Sequence, residues 1–168
     1  MVSRAVSFTR AELMAVLDEV KDPEVPVLSV VELGVVRDVE VLDDGVRVTV
    51  TPTYSGCPAM AAIEHDIAHA LRAHGVANVQ VRTSYLPAWT TDWIPAAARE
   101  KLRAYGIAPP GPADHEAPVQ IGRRRAAVRC PFCGSPHTQL RSEFGSTACK
   151  AIHVCDECRQ PFEEFKAI

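Results

Sequence analysis

No stretch of this sequence approaches the roughly 20 consecutive apolar residues that a bilayer-crossing helix needs. Its start, MVSRAVSFTR, also lacks the apolar core and small-residue cleavage site of a secretory leader. A cytoplasmic chain with no membrane partner is therefore expected. In that reducing compartment its six cysteines serve as metal ligands or reactive thiols, not as disulfides. An excess of positive charge is missing as well. The net charge of -3 argues against nucleic acid as the main partner, because proteins that neutralise phosphates carry a strongly basic domain or stripe. There are no internal repeats.

What is present is ordinary globular material. The chain has 168 residues, 47% hydrophobic and 23% charged, enough for a principal domain of about 100 residues with a small appended module. Thr9 and Glu12 make a capping box, and Phe8 and Leu13 stand at the positions of a hydrophobic staple, so a helix is predicted there. Its apolar stripe is Leu13, Val16, Leu17 and Val20, and Asp22-Pro23 stops it. Alternation then takes over: Val39 and Val41, the turn Asp43-Asp44-Gly45, and Val46, Val48 and Val50 read as a hairpin, with Asp44-Gly45 supplying positive backbone angles. A second helix is predicted from Pro58 to about His74, closed by Gly75, with Met60, Ile63, Ile67 and Leu71 facing the core. Val79 and Val81 suggest a third strand, and Pro95 to Tyr105 a third helix ended by Gly106. The fold class is α+β, in the order α-β-β-α-β-α over a small mixed sheet.

Pro109, Pro110, Pro112 and Pro118 mark a Pro-rich linker. The expected division is a domain over 1–107, a linker over 108–126 and a C-terminal module over 127–168.

Cys130-Pro131-Phe132-Cys133-Gly134 and Cys155-Asp156-Glu157-Cys158 are the strongest chemical signal. Each CxxC lets two thiolates from one tight turn reach a single ion, and the chain between Cys133 and Cys155 is long enough for a hairpin that brings the pairs together. A zinc ribbon holding one structural zinc per chain is predicted, and an iron-sulfur cluster on the same four sulfurs stays open. Cys149 belongs to neither pair and reads as a buried small hydrophobe; the alternative is that the adjacent Lys150 tunes it as a contact.

Thr51-Pro52-Thr53-Tyr54-Ser55-Gly56-Cys57-Pro58 lies between a strand and a helix, where such folds place functional groups. With Pro58 at the first helical position, Cys57 falls at the N-cap, where free amides and the helix dipole favour a thiolate. Two readings stand: a reactive or metal-coordinating thiol, and a residue merely packed at a helix start. Asp22, Glu24, Thr51 and Thr53 are the polar groups able to converge on it, and each also suits a turn or cap. His65 and His69 superficially match a zinc-peptidase helix, but the helical wheel turns both to solvent and an aspartate fills the glutamate position. Trp89 and Trp93 read as core or interface anchors. Arg123, Arg124, Arg125 and Arg129 form one basic patch suited to an acidic protein face.

The run Asp22-Pro23-Glu24-Val25-Pro26-Val27-Leu28-Ser29-Val30-Val31-Glu32-Leu33-Gly34-Val35-Val36, followed by the Cys57 loop, resembles the MIP18 (domain of unknown function 59) family, which is associated with iron-sulfur cluster assembly. Pro87-Ala88-Trp89-Thr90-Thr91-Asp92-Trp93 and Phe144-Gly145-Ser146-Thr147-Ala148-Cys149-Lys150-Ala151, with the ribbon, look like the family of the D (or J) component of phenylacetyl-CoA epoxidases. The resemblance implies an accessory, non-catalytic role in aerobic phenylacetate breakdown. In that system an oxygenase with a di-iron catalytic subunit and a reductase carrying flavin and an iron-sulfur cluster epoxidise the ring. The chain itself has no Glu-x-x-His repeat for a di-iron site and no Gly-rich dinucleotide fingerprint. Carried over by position, Cys57 would transiently hold iron or a cluster in a pocket shaped by Asp22, Glu24, Thr51 and Thr53. The catalytic subunit, the reductase or both would be clients, and a homodimer could complete the ligand shell. A purely structural docking role is the alternative.

Overall fold

A computed structural model describes residues 8–112 and 127–168. The predicted linker beyond Pro112, with Pro118 and with Arg123, Arg124 and Arg125, lies outside the described residues. Among those described, no helix is long and apolar enough to cross a membrane. The chain forms two compact units, the first reaching Trp89 and the second starting at Thr90.

In the first unit, α1 (Arg10–Asp18) starts at the predicted capping box: Thr9 accepts from the Glu12 amide, and the Glu12 carboxylate accepts from the Thr9 amide at 2.8 Å. Strands β1 (Val36–Leu42) and β2 (Gly45–Val50) are antiparallel, and β3 (Val79–Thr83) runs parallel to β2. This is the mixed sheet expected. Val46, Val48 and Val50 alternate inward along β2, and α2 (Met60–Ala73) buries Ile63, Ile67 and Leu71. No side chain caps the start of α2. Burial of each of those three side chains contributes roughly 1.5–3 kcal/mol, which outweighs a cap worth about 1 kcal/mol. Gly75 closes the helix with φ 93°, as predicted.

The hairpin differs from the prediction in one respect. Leu42 pairs with Gly45, so the two turn residues are Asp43 and Asp44, and neither they nor Gly45 has a positive φ. Gly45 is needed for space instead: a Cβ there would collide with the carbonyl oxygen of Asn78, whose partner is the Val46 amide at 2.9 Å.

The second unit contains a short 3-10 helix (Thr91–Trp93), α3 (Ala96–Tyr105) closed by Gly106, and a four-stranded sheet. Its strands are β4 (Ile107–Ala108), β5 (Thr138–Ser142), β6 (Lys150–Cys155) and β7 (Pro161–Phe165), in the order β4-β7-β6-β5. Thr91 and Ile168 exchange hydrogen bonds, tying the start of this unit to its far end. Arg99 donates to the carbonyls of Thr91, Ile94 and Pro110. The division therefore falls earlier than the expected boundary at 107. Buried Ile107 and Ala108 pair in parallel with Glu163 and Glu164 of β7, so α3 and β4 group with the ribbon.

Candidate functional site

The loop before β1 and the loop after β2 supply the residues of the Cys57 site. The loop after α1 is closed by the Asp22 amide on the Leu28 carbonyl (3.1 Å) and a bridge between Lys21 and Ser29. Asp22 is buried, and its Oδ1 accepts from the amides of Glu24 and Val25, both at 2.8 Å. It is thus a turn-forming residue as well as a charge facing the thiol. After β2, the backbone turns through Tyr54, whose carbonyl accepts from the Cys57 amide at 3.2 Å. Regular α2 begins at Met60, two residues later than predicted. Cys57 lies ahead of the helix proper, and its sulfur accepts from the Ala59 amide and from the Thr53 hydroxyl.

These neighbours oppose the effect of the helix start on the thiol. Half-burial pushes its pKa above the ordinary value. The Ala59 amide pulls it back, the carboxylates of Glu24 and Asp22 push it up further, and the Thr53 hydroxyl opposes them. Desolvation and two like charges outweigh the helix start. The same two carboxylates that disfavour a bare thiolate favour a thiolate with a cation beside it, because ligation displaces the proton and the ion reverses the local field. Thr53 thus donates to the Cys57 sulfur, while the charges of Glu24 and Asp22 act on it. Thr51 is placed differently, buried at the end of β2 with its amide on the Val35 carbonyl at 2.8 Å.

In the second unit, the sulfurs of Cys130, Cys133, Cys155 and Cys158 all lie within 4.8 Å of one another, with Cys130 to Cys158 and Cys133 to Cys155 each 3.6 Å apart. A tetrahedral ion with metal-sulfur bonds of about 2.3 Å spaces its ligands by about 3.8 Å, so the donor set fits one such ion. Both knuckles use the same backbone device. Gly134 follows Cys133 with φ 75° and Arg159 follows Cys158 with φ 62°, which turns following amides toward the sulfurs. The Ser135 amide donates to Cys133, those of Glu157 and Cys158 to Cys155, and that of Gln160 to Cys158. Taken alone, the thiols compete for charge. Cys155 is drawn down to about 7, first by the Cys158 amide. The Gln160 amide pulls Cys158 the same way, but burial and the other three sulfurs drive it up to about 12. Ala108, Cys130, Cys155 and Phe162 form the buried cluster beneath, with Val128 and Cys158 packed against it.

The remaining candidates separate cleanly. Cys149 is buried outside the four-sulfur group, 3.1 Å from the Thr147 hydroxyl, and Lys150 pairs with Glu163 at 3.0 Å. His65 and His69 are exposed, as the helical wheel requires. Trp89 is buried, its indole donating to the Leu33 carbonyl at 3.0 Å. Arg129 is exposed and donates to the Gly134 carbonyl at 3.1 Å. Sequence reasoning missed one buried polar group. His153 Nε2 meets the Glu164 carboxylate at 2.8 Å, its ring stacks on Phe162, and its Nδ1 is buried with no hydrogen-bond partner among the described residues. The available signal was the inward alternation Ala151, His153, Cys155 along β6.

Two family models match the chain: an iron-sulfur cluster assembly protein over residues 10–83 and a PaaD zinc beta ribbon domain over residues 114–166. The chain is 49% identical over 157 residues to the putative D component of the 1,2-phenylacetyl-CoA epoxidase of Escherichia coli (strain K12), covering 94% of this chain and 92% of that protein. It is 34% identical over 96 residues to an Fe-S protein maturation auxiliary factor of Porphyromonas gingivalis (strain ATCC BAA-308 / W83), covering 56% of this chain and 90% of the relative. Among solved structures, a domain of unknown function DUF59 from Bacillus anthracis superposes with a TM-score of 0.52 at 29% identity, over 55% of this chain and 90% of its own. A conserved hypothetical protein from Thermotoga maritima gives 0.51 at 33% identity, over 59% of this chain and 98% of its own.

Proposed function

The chain belongs to the family of the D component of 1,2-phenylacetyl-CoA epoxidases, and on that premise we propose that it is a non-catalytic accessory component of such an epoxidase system in aerobic phenylacetate breakdown. Its work is to assemble or maintain an iron-sulfur or di-iron centre in a partner, either the oxygenase's catalytic subunit or its flavin and iron-sulfur reductase. The observation that carries this reading is the pairing of one half-buried thiol, Cys57, with the Glu24 and Asp22 carboxylates. That arrangement keeps a proton on sulfur at rest and yields it to an incoming cation. Iron or a cluster is the cargo in this reading. Thr53 orients the sulfur, Thr51 fixes the backbone at the loop's start, and the client or a second copy supplies the missing ligands.

The four-sulfur site holds one structural zinc. A closed set of four thiolates leaves no position for substrate, so the ion's work there is to fold the ribbon. Metal analysis of the purified chain after dialysis against a chelator that strips weak sites should return one zinc; replacing all four cysteines should abolish it, and zinc retained through the same dialysis would refute the assignment. The domain limits foreseen from the sequence, 1–107 and 127–168, would cut α3 and β4 away from the ribbon, so a truncation should divide the chain at Trp89 and Thr90 instead.

A structural docking role is the second reading, and the partial burial of Cys57 just before a helix, where a merely packed residue would also sit, is the observation that favours it. Deleting this chain while the remaining components are expressed separates the two. An assembly role predicts lowered iron or cluster occupancy in the client. A docking role predicts full occupancy with a complex that dissociates.

A further inference from the structure

The described histidines fall into two groups. His74, His137 and His153 each hold a hydrogen-bond partner: the Ala70 carbonyl at 3.0 Å, the Glu157 carboxylate at 3.0 Å and the Glu164 carboxylate at 2.8 Å. His65 and His69 have none among the described residues. They stand four apart on α2, on the face opposite buried Ile63, Ile67 and Leu71. Their rings stack with centroids 6.3 Å apart and planes 10° from parallel. Residues at this spacing are neighbours on a helix surface, and both side chains are exposed, so little beyond their mutual stacking restrains their torsions.

We propose that His65 and His69 form a bidentate site for a borderline divalent transition-metal ion, of the nickel(II), copper(II) or zinc(II) kind, on the solvent face of α2. Imidazole nitrogens suit these ions at bond lengths of about 2.0–2.1 Å. Rotation about the two exposed side chains brings one nitrogen from each ring to a common ion without moving the helix. The surroundings leave room for it. Ala61 and Ala62 lie one turn before His65, so no bulky side chain overhangs the pair on that side. The charged neighbours are Asp66, beside the pair, and Arg72, one turn beyond; their charges oppose each other. Glu64 is turned away, its carboxylate accepting from the Thr83 hydroxyl at 2.6 Å. Two protein ligands leave the ion's other positions to water. The site is therefore an open, exchangeable one, chemically unlike the closed four-sulfur set and independent of Cys57.

The test uses the full chain, its ribbon loaded with zinc and Cys57→Ala introduced to remove the competing thiol. Paramagnetic nickel(II) is titrated while the imidazole resonances are followed by nuclear magnetic resonance. The site predicts that His65 and His69 signals broaden first and together. His69→Ala should weaken nickel binding at least about tenfold, and His74→Gln should leave it unchanged. Both positions are exposed, and circular dichroism checks that each variant keeps its helices. Broadening that begins at His74 or His137, or an affinity that His69→Ala does not lower, overturns the proposal.

Discussion

At the scale of single residues, the chemistry rests on how charges are arranged around one sulfur. Burial raises the pKa of Cys57 most and the charges of Glu24 and Asp22 add to it, so Glu24→Gln should lower it and leave more thiolate at any pH below the new value. For a partly exposed charge pair worth about half a kcal/mol, alkylation by iodoacetamide at pH 8 should quicken about twofold. Iron(II) binding to the same variant should weaken, since the carboxylate that opposes a bare thiolate attracts the cation. The two changes together distinguish a cation site from a merely packed cysteine, for which reactivity and iron binding would not move in opposite directions. Arg159 makes a separate point. It occupies in the second knuckle the left-handed position that Gly134 fills in the first, at a cost of roughly 1 kcal/mol for an L side chain. Arg159→Gly should raise the chain's thermal midpoint at unchanged metal content; a lowered midpoint would mean that the arginine side chain contributes more than the strain removes.

At the scale of elements, much was legible because the signals were local. The capping box at Thr9 and Glu12, the inward valines of β2, the stripe of α2 and the helix-closing glycines at 75 and 106 each predict what the structure shows. The exceptions are those where a distant partner decides. Asp44-Gly45 read as the turn itself, but Gly45 lies inside β2 because the Asn78 carbonyl passes where its side chain would be. Gly45→Ala should therefore destabilise the chain by about 1–3 kcal/mol, the range for forcing a group into filled space. Urea denaturation measures this, and a change below about half a kcal/mol would show that the Asn78 segment simply yields. In the same way, nothing local told that Ile107-Ala108 would join a sheet edge, since a two-residue strand has no periodicity. At Cys57 the helix start was visible in Pro58, whereas the opposing burial and carboxylates arise from a loop more than thirty residues away in sequence. The direction of the pKa was therefore not readable from the motif, although Asp22, Glu24 and Thr53 were readable as polar groups able to converge on Cys57.

At the scale of the whole molecule, the chain combines an iron-sulfur-assembly-type domain with a ribbon in one polypeptide, and a relative sharing 49% of its residues spans nearly all of it. The two sites divide the chemistry of sulfur between them. Four thiolates would saturate one ion and hold a fold together; in the proposed role, one thiol near two carboxylates would stay unsaturated and able to exchange what it holds. An accessory role needs both, a stable body and an incomplete ligand set that a client completes. The central claim is that the incomplete set does the work. It is tested most directly by restoring a strain that lacks this chain with either the wild-type protein or Cys57→Ala, and then measuring iron and cluster occupancy in the purified oxygenase and reductase. Zinc content of the variant serves as the control for folding. The account predicts that the variant retains its zinc yet leaves a partner's centre depleted, whereas full occupancy in both partners would contradict it.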